Sequence, residues 1–144
     1  MIKIRVETPI YPTEDVNKVK KAIENIIPNM DCKIEKIGKK TYLIGEIEGS
    51  KGLKSLHRLL REQKILDTAR SVFKRSISGN TIIFYLRKQA AFMGKIHFCD
   101  AYAETPLGPI VVQITSDDPH KVIDWLAPPT KRGQPVFEID IQDE

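Results

Sequence analysis

Residues 82–86 read Ile-Ile-Phe-Tyr-Leu, an unbroken apolar run between Gly79-Asn80 and Arg87-Lys88. It is too short for a helix with its own packing face, and its β-branched and aromatic side chains favour extended backbone. Such a run predicts a strand over 80–86, buried on both faces and central in a sheet. A strand of that kind needs neighbours, so the rest of the chain must supply further extended segments and something to cover them.

The neighbours are legible by period. Ile2, Ile4 and Val6 alternate with Lys3 and Arg5, the mark of a strand with one buried face. Residues 31–37 and 41–48 flank Gly38-Lys39-Lys40 and predict a hairpin. Lys95–Phe98, Pro109–Thr115 and Val136–Ile141 predict three more strands, and Thr130–Pro135 looks like a linker. The cover comes from helical stripes. Val16, Val19, Ala22, Ile23, Ile26 and Ile27 share one face, with Thr13 as the expected N-cap and Glu14 and Asp15 in the first turn. From Leu53 to Ile77 two stripes differ in phase, which predicts two helices broken near Gln63-Lys64, the second ending near Ser78-Gly79. Pro119 after Asp117-Asp118 predicts a helix start, with Pro128-Pro129 as its stop. Strands mixed with helices without βαβ alternation give an α+β class, and 144 residues suit a single domain, 1–144. No window has the roughly 18 consecutive apolar residues of a membrane span, so a cytoplasmic protein is expected.

Charge is distributed unevenly. The net charge is +4, yet residues 36–88 hold thirteen basic against four acidic side chains, while residues 99–144 hold three against nine. The basic middle is where an anionic polymer would raise its encounter rate. Lys51, Lys54, Arg58 and Arg61 recur at helical spacing opposite Leu56 and Leu60, and the next helix adds Arg70 and Lys74. A row of cations is what a phosphate backbone requires, because each neutralised phosphate releases condensed counterions. Arg87 and Lys88, close to Gln89 and Phe92, place charge and an aromatic ring at one strand end, a combination that suits unpaired bases. A solvated helix face and a core-plugging Phe92 are the competing readings.

Catalysis finds no foothold in the motifs. Walker, GxGxxG, HExxH and GxSxG patterns are absent, and His57, His97 and His120 are scattered. Asp117-Asp118 reads as a helix cap. Cys32 and Cys99 lack CxxC spacing and are expected to be buried thiols. Tyr42, Tyr85 and Tyr102 belong to no motif. The expectation is a binding protein without catalytic residues, metal or cofactor.

Five segments in order, PTEDVNKVKKAIENIIP, LLREQKILDTAR, RKQAAFMGKIHF, PLGPIVVQI and DPHKVIDWLAPPT, resemble an archaeal uncharacterised protein family, number 0201, described as RNA-binding. The resemblance runs from about Ile2 to about Glu138. It implies a fold similar to ribosomal protein L-five, a curved and mainly antiparallel sheet covered by helices, together with a homodimer and RNA as partner. It supplies no catalytic residue. Arg87 stands where the family pattern leads one to expect Asn before Lys88-Gln89-Ala90-Ala91, a departure that adds charge. The leading expectation is a non-catalytic protein gripping structured RNA through phosphates. The alternative is a homodimeric interaction or assembly module whose basic and acidic parts pair between chains.

Overall fold

The computed structural model describes residues 1–100 and 107–141. The alternating N-terminus forms β1 (Ile2–Ile10), longer than its first alternating stretch because Thr8 and Pro9 continue the pairing. Helix α1 (Val16–Ile26) leads to the hairpin β2 (Asp31–Ile37) and β3 (Lys40–Glu48). A 3-10 turn at Ser50–Leu53 precedes α2 (Lys54–Glu62) and α3 (Leu66–Ser76). Then come β4 (Ile77–Ser78), β5 (Thr81–Arg87), α4 (Lys88–Phe92) and β6 (Phe98–Cys99). Strand β7 (Pro109–Ser116), α5 (Pro119–Leu126) and the small ribbon β8 (Thr130–Lys131) and β9 (Gln134–Pro135) complete the described chain.

The main sheet has the order β2-β3-β1-β7-β5-β4, with β6 also on β5, and each pairing is antiparallel. Register aligns the apolar positions into rows. Ile47, Ile4, Ile114 and Ile82 form one, and Gly45, Val6, Val112 and Phe84 the next. These rows join buried side chains from all five helices in one core, where Phe73 meets Phe84 with ring centroids 4.9 Å apart. Each fully buried Phe, Leu or Ile contributes about 1.5–3 kcal/mol by leaving water, so the rows dominate the fold's energetics. The fold class is therefore an α+β arrangement with a mainly antiparallel open sheet covered by helices.

The strand expected over 80–86 is placed differently from expectation. Ile82, Phe84 and Leu86 are buried while Ile83 and Tyr85 are only half-buried, so β5 buries one face fully. It also lies towards an edge, beyond which, among the described residues, it meets only the two-residue strands β4 and β6. β1 and β7 take the centre. An apolar run reports burial summed over both faces and cannot say which neighbour supplies it.

Several boundaries are corrected. Asp15, not Thr13, caps α1, its Oδ1 accepting from the Asn17 N–H at 2.9 Å. Glu14 is drawn away to Lys88. The break between α2 and α3 is where the two stripes changed phase, and Lys64 takes a left-handed φ of 57° there. Helix α3 stops at Ser76, since Ile77–Ser78 joins the sheet. At Lys95–Phe98 only Phe98 enters the sheet. The Ile96 N–H and C=O are taken by the Gln63 side-chain amide at 2.7 and 2.9 Å, which removes them from any ladder. Val136–Ile141 is no strand either. Ile139 and Ile141 dip against the core, which accounts for the alternation, but Glu138 binds α2 and a helix offers no free backbone groups to pair with. The expected linker at Thr130–Pro135 is the β8–β9 ribbon, and Thr130 Oγ1 donates to Asp67 of α3. Both cysteines are half-buried rather than fully buried. Tyr102 lies outside the described residues. Among the described residues no helix is long and apolar enough to cross a membrane.

Candidate nucleic-acid interface

The basic block at 36–88 is continuous in sequence and divided in space. Strand β3 carries the chain from the hairpin tip, where Thr41 faces Ile10, to the opposite end of β1, where Glu48 faces Lys3. At about 3.3 Å per residue those ends lie roughly 23 Å apart. Lys36, Lys39 and Lys40 therefore belong to one end of the sheet and Lys51 and Lys54 to the other.

On the helices, Lys51 and Lys54 are exposed at the start of α2, and neither has an ion pair among the described residues. The first turn of α2 contains no acidic residue, so both lysines add to the positive end of the helix dipole instead of being offset. Arg58 follows one turn later and is 58% exposed, paired with Glu62 at 2.9 Å in an i,i+4 contact. Lys74 is exposed in the last turn of α3.

The remaining predicted cations are engaged inside the protein. The Arg61 guanidinium donates to the carbonyls of His57, Leu126 and Trp125 at 2.9–3.1 Å and to both oxygens of Glu138. Arg70 binds Asp124 at 2.8 Å and the Ala127 carbonyl at 3.0 Å. Arg87 is half-buried at the N-cap of α4, its N–H donating to the His97 carbonyl. Lys88 is the deepest, 6% exposed against 9% for Glu14. Its ammonium donates to Glu14 at 2.9 Å and to the carbonyls of Pro9 and Leu107 at 2.6 and 2.7 Å. Burial pulls Lys88 below the ordinary lysine range, against the raising effect of Glu14. Phe92, half-buried, packs against the core instead of offering a free stacking face.

The loop leading to Lys88's third partner is built for closeness. Gly108 has a φ of 74°, and a Cβ there would come within 2.5 Å of the Pro9 ring, so only glycine lets the chain pass.

Sequence reasoning missed a cavity at the hairpin end of the sheet. It measures about 430 Å³ and is walled by Pro9, Ile10, Pro12 and Val16, with Tyr11, Tyr42, Lys39 and Lys40 around it. The only available signal was the proximity of two turns, Pro9-Ile10-Tyr11-Pro12 and Gly38-Lys39-Lys40-Thr41-Tyr42, and only the pairing of β1 with β3 brings them together.

A family model described as RNA binding matches residues 3–116. The chain belongs to that family. Among its relatives, the UPF0201 protein of Sulfurisphaera tokodaii is 44% identical over 100% of this chain and 99% of its own length. The UPF0201 protein of Aeropyrum pernix is 42% identical over 95% of this chain and 92% of its own. The crystal structure of a UPF0201 protein from Methanococcus jannaschii superposes with a TM-score of 0.83 at 35% identity, covering 94% of this chain and 99% of that one. The segments that resembled family 0201 thus mark true membership, and the UPF0201 fold spans nearly all of the chain.

Proposed function

We propose that this UPF0201 protein is a non-catalytic, cytoplasmic RNA-binding protein that grips structured RNA through phosphate contacts. The observation carrying the reading is the start of α2, where Lys51, Lys54 and the positive helix end coincide with no acidic offset. Helices ordinarily favour acids in the first turn, so cations there raise a local potential that stability does not ask for. Arg58 and Lys74 extend the exposed charge. Arg61, Arg70 and Lys88 serve this reading indirectly, by fixing the helices that carry the free cations. The family's description as RNA binding favours RNA over other polyanions.

The test is a salt titration with a structured RNA, comparing the wild type with Lys54→Glu/Arg58→Glu. The double variant should bind more weakly, and the slope of log affinity against log salt should flatten by about two, roughly one per lost phosphate contact. An unchanged slope refutes the α2 assignment. Arg61 is left out of this variant because its loss would disturb the fold.

A second reading, homodimeric assembly, draws on β2. This strand is an edge of the sheet, and Ile34 and Ile37 are 51% and 56% exposed on it. A dimer formed there should persist at high salt, whereas one formed by pairing basic and acidic parts should dissociate. Sedimentation at two salt concentrations separates these.

A further inference from the structure

We propose that the cavity at the hairpin end of the sheet receives a single unpaired RNA base, with Tyr42 and Tyr11 stacking on it and Lys39 and Lys40 holding the adjoining phosphates. The inference rests on the RNA-binding reading and adds a second contact region, the one that would distinguish single-stranded from paired RNA.

The shape suits the ligand. About 430 Å³ lies within the usual range for small-molecule sites and accommodates one base with its sugar. Pro9, Ile10, Pro12 and Val16 make part of the lining apolar, and the ring-bearing residues come from two strand ends that register holds side by side, Tyr42 lying opposite Pro9. Bases inside an A-form helix already stack on their neighbours, so a recess of this kind serves a base that has left the stack.

The electrostatics point the same way. Glu14, the one acidic wall residue among the described residues, is neutralised by Lys88 at 2.9 Å and is itself 9% exposed. Among the described residues the charge left at the cavity is that of Lys39 and Lys40, both exposed and without an ion pair there. Apolar walls, two phenol rings and a net positive margin are complementary to a base joined to phosphate.

The site is also held ready. Tyr11 N–H donates to Glu14 Oε1 at 3.0 Å, and Glu14 N–H returns a bond to the Tyr11 carbonyl at 2.9 Å. The Lys88 ammonium lies 5.7 Å from the centre of the Tyr11 ring. The Tyr11 main chain is thus tied to Glu14 of the buried ion pair, and the residue remains 40% exposed. A main chain already fixed leaves less freedom to lose when a base stacks on the ring.

The experiment uses the full chain and a short oligouridylate carrying one 2-aminopurine, whose fluorescence falls on stacking, with the same oligonucleotide made abasic at that position as comparison. The wild type should quench the fluorophore and prefer it to the abasic form. Tyr42→Ala should weaken binding roughly tenfold and abolish the quench, Tyr42→Phe should restore both, and Lys39→Glu/Lys40→Glu should flatten the salt slope. Equal affinity and quench in wild type and Tyr42→Ala overturns the proposal, as does displacement of the oligonucleotide by adenosine monophosphate at matched concentration, which would make a free nucleotide the occupant. A duplex RNA measured in parallel separates the two ideas. If duplex binding still responds to Lys54→Glu/Arg58→Glu while the oligonucleotide ignores Tyr42→Ala, the base pocket alone falls. If neither RNA binds at low salt, both readings fall.

Discussion

Two of the molecule's cation–carboxylate joints, Lys88–Glu14 and Arg61–Glu138, differ in depth. Lys88–Glu14 lies at the hairpin end of the sheet, with its partners 6% and 9% exposed, tying the end of β1, the start of α4 and the approach to β7. Arg61–Glu138 lies on the helical side, 21% and 50% exposed, tying α2 and the end of α5 to the C-terminal segment. Removing two charges from water is unfavourable in both places, but the penalty is far larger at the first. A buried joint tolerates no partial loss, because whichever charge remains has nothing to replace its partner. The half-open one leaves its carboxylate access to water.

The sharpest test of that difference is Lys88→Met. It leaves the Glu14 carboxylate and the Pro9 and Leu107 carbonyls without their donor, and should destabilise the fold by about 3–5 kcal/mol. Adding Glu14→Gln removes the orphaned charge, so the double variant should recover part of the loss. Denaturant unfolding of the four proteins in the cycle measures this coupling, and simple additivity would show that Lys88 and Glu14 do not act as a unit.

Arg61→Ala should cost less, about 2 kcal/mol, since two of its contacts are carbonyls at the end of α5 and water can replace the contact to Glu138. Its distinguishing consequence is local. Residues 136–141 have no sheet pairing, so hydrogen exchange and limited proteolysis should report their release before the rest of the chain unfolds. Release only together with global unfolding would place this joint in the same class as Lys88–Glu14.

How far the sequence disclosed these joints follows from what each depends on. Helix stripes and the β2–β3 hairpin were legible because periodicity and turn residues act over a few positions. Lys88 and Arg61 were legible as cations and misleading as free ones. Their partners lie 74 and 77 positions away, and nothing in a helical-spacing argument reports a carboxylate brought in by another element. The same limit explains β5. Its apolar run was visible, while its place near the sheet edge depends on β1 and β7 pairing with each other across more than a hundred residues. Lys51, Lys54, Arg58 and Lys74 kept the exposure that their spacing implied, since solvent exposure needs no distant partner.

The gentlest probe of the contrast is acid. His57 sits beside the Arg61 joint with its ring 4.9 Å from Trp125, and burial followed by the Arg61 charge lowers its pKa from 6.5, although Glu138 pulls the other way. The unfolded chain therefore takes up a proton near pH 6.5 that the folded chain resists, and stability falls as pH drops from there towards the folded value. Glu138, held below 4.5 chiefly by its hydrogen bond from Arg61, contributes stability that is present above 4.5 and lost as pH falls through its lowered value. The helical joint should thus weaken in two successive windows. His57→Gln should remove the decline in the upper window and leave the lower one, as followed by unfolding midpoints from neutral pH to well below 4.5. An identical decline in wild type and variant would mean that the imidazole is as easily protonated in the fold as outside it, and that burial beside Trp125 and Arg61 does not control it.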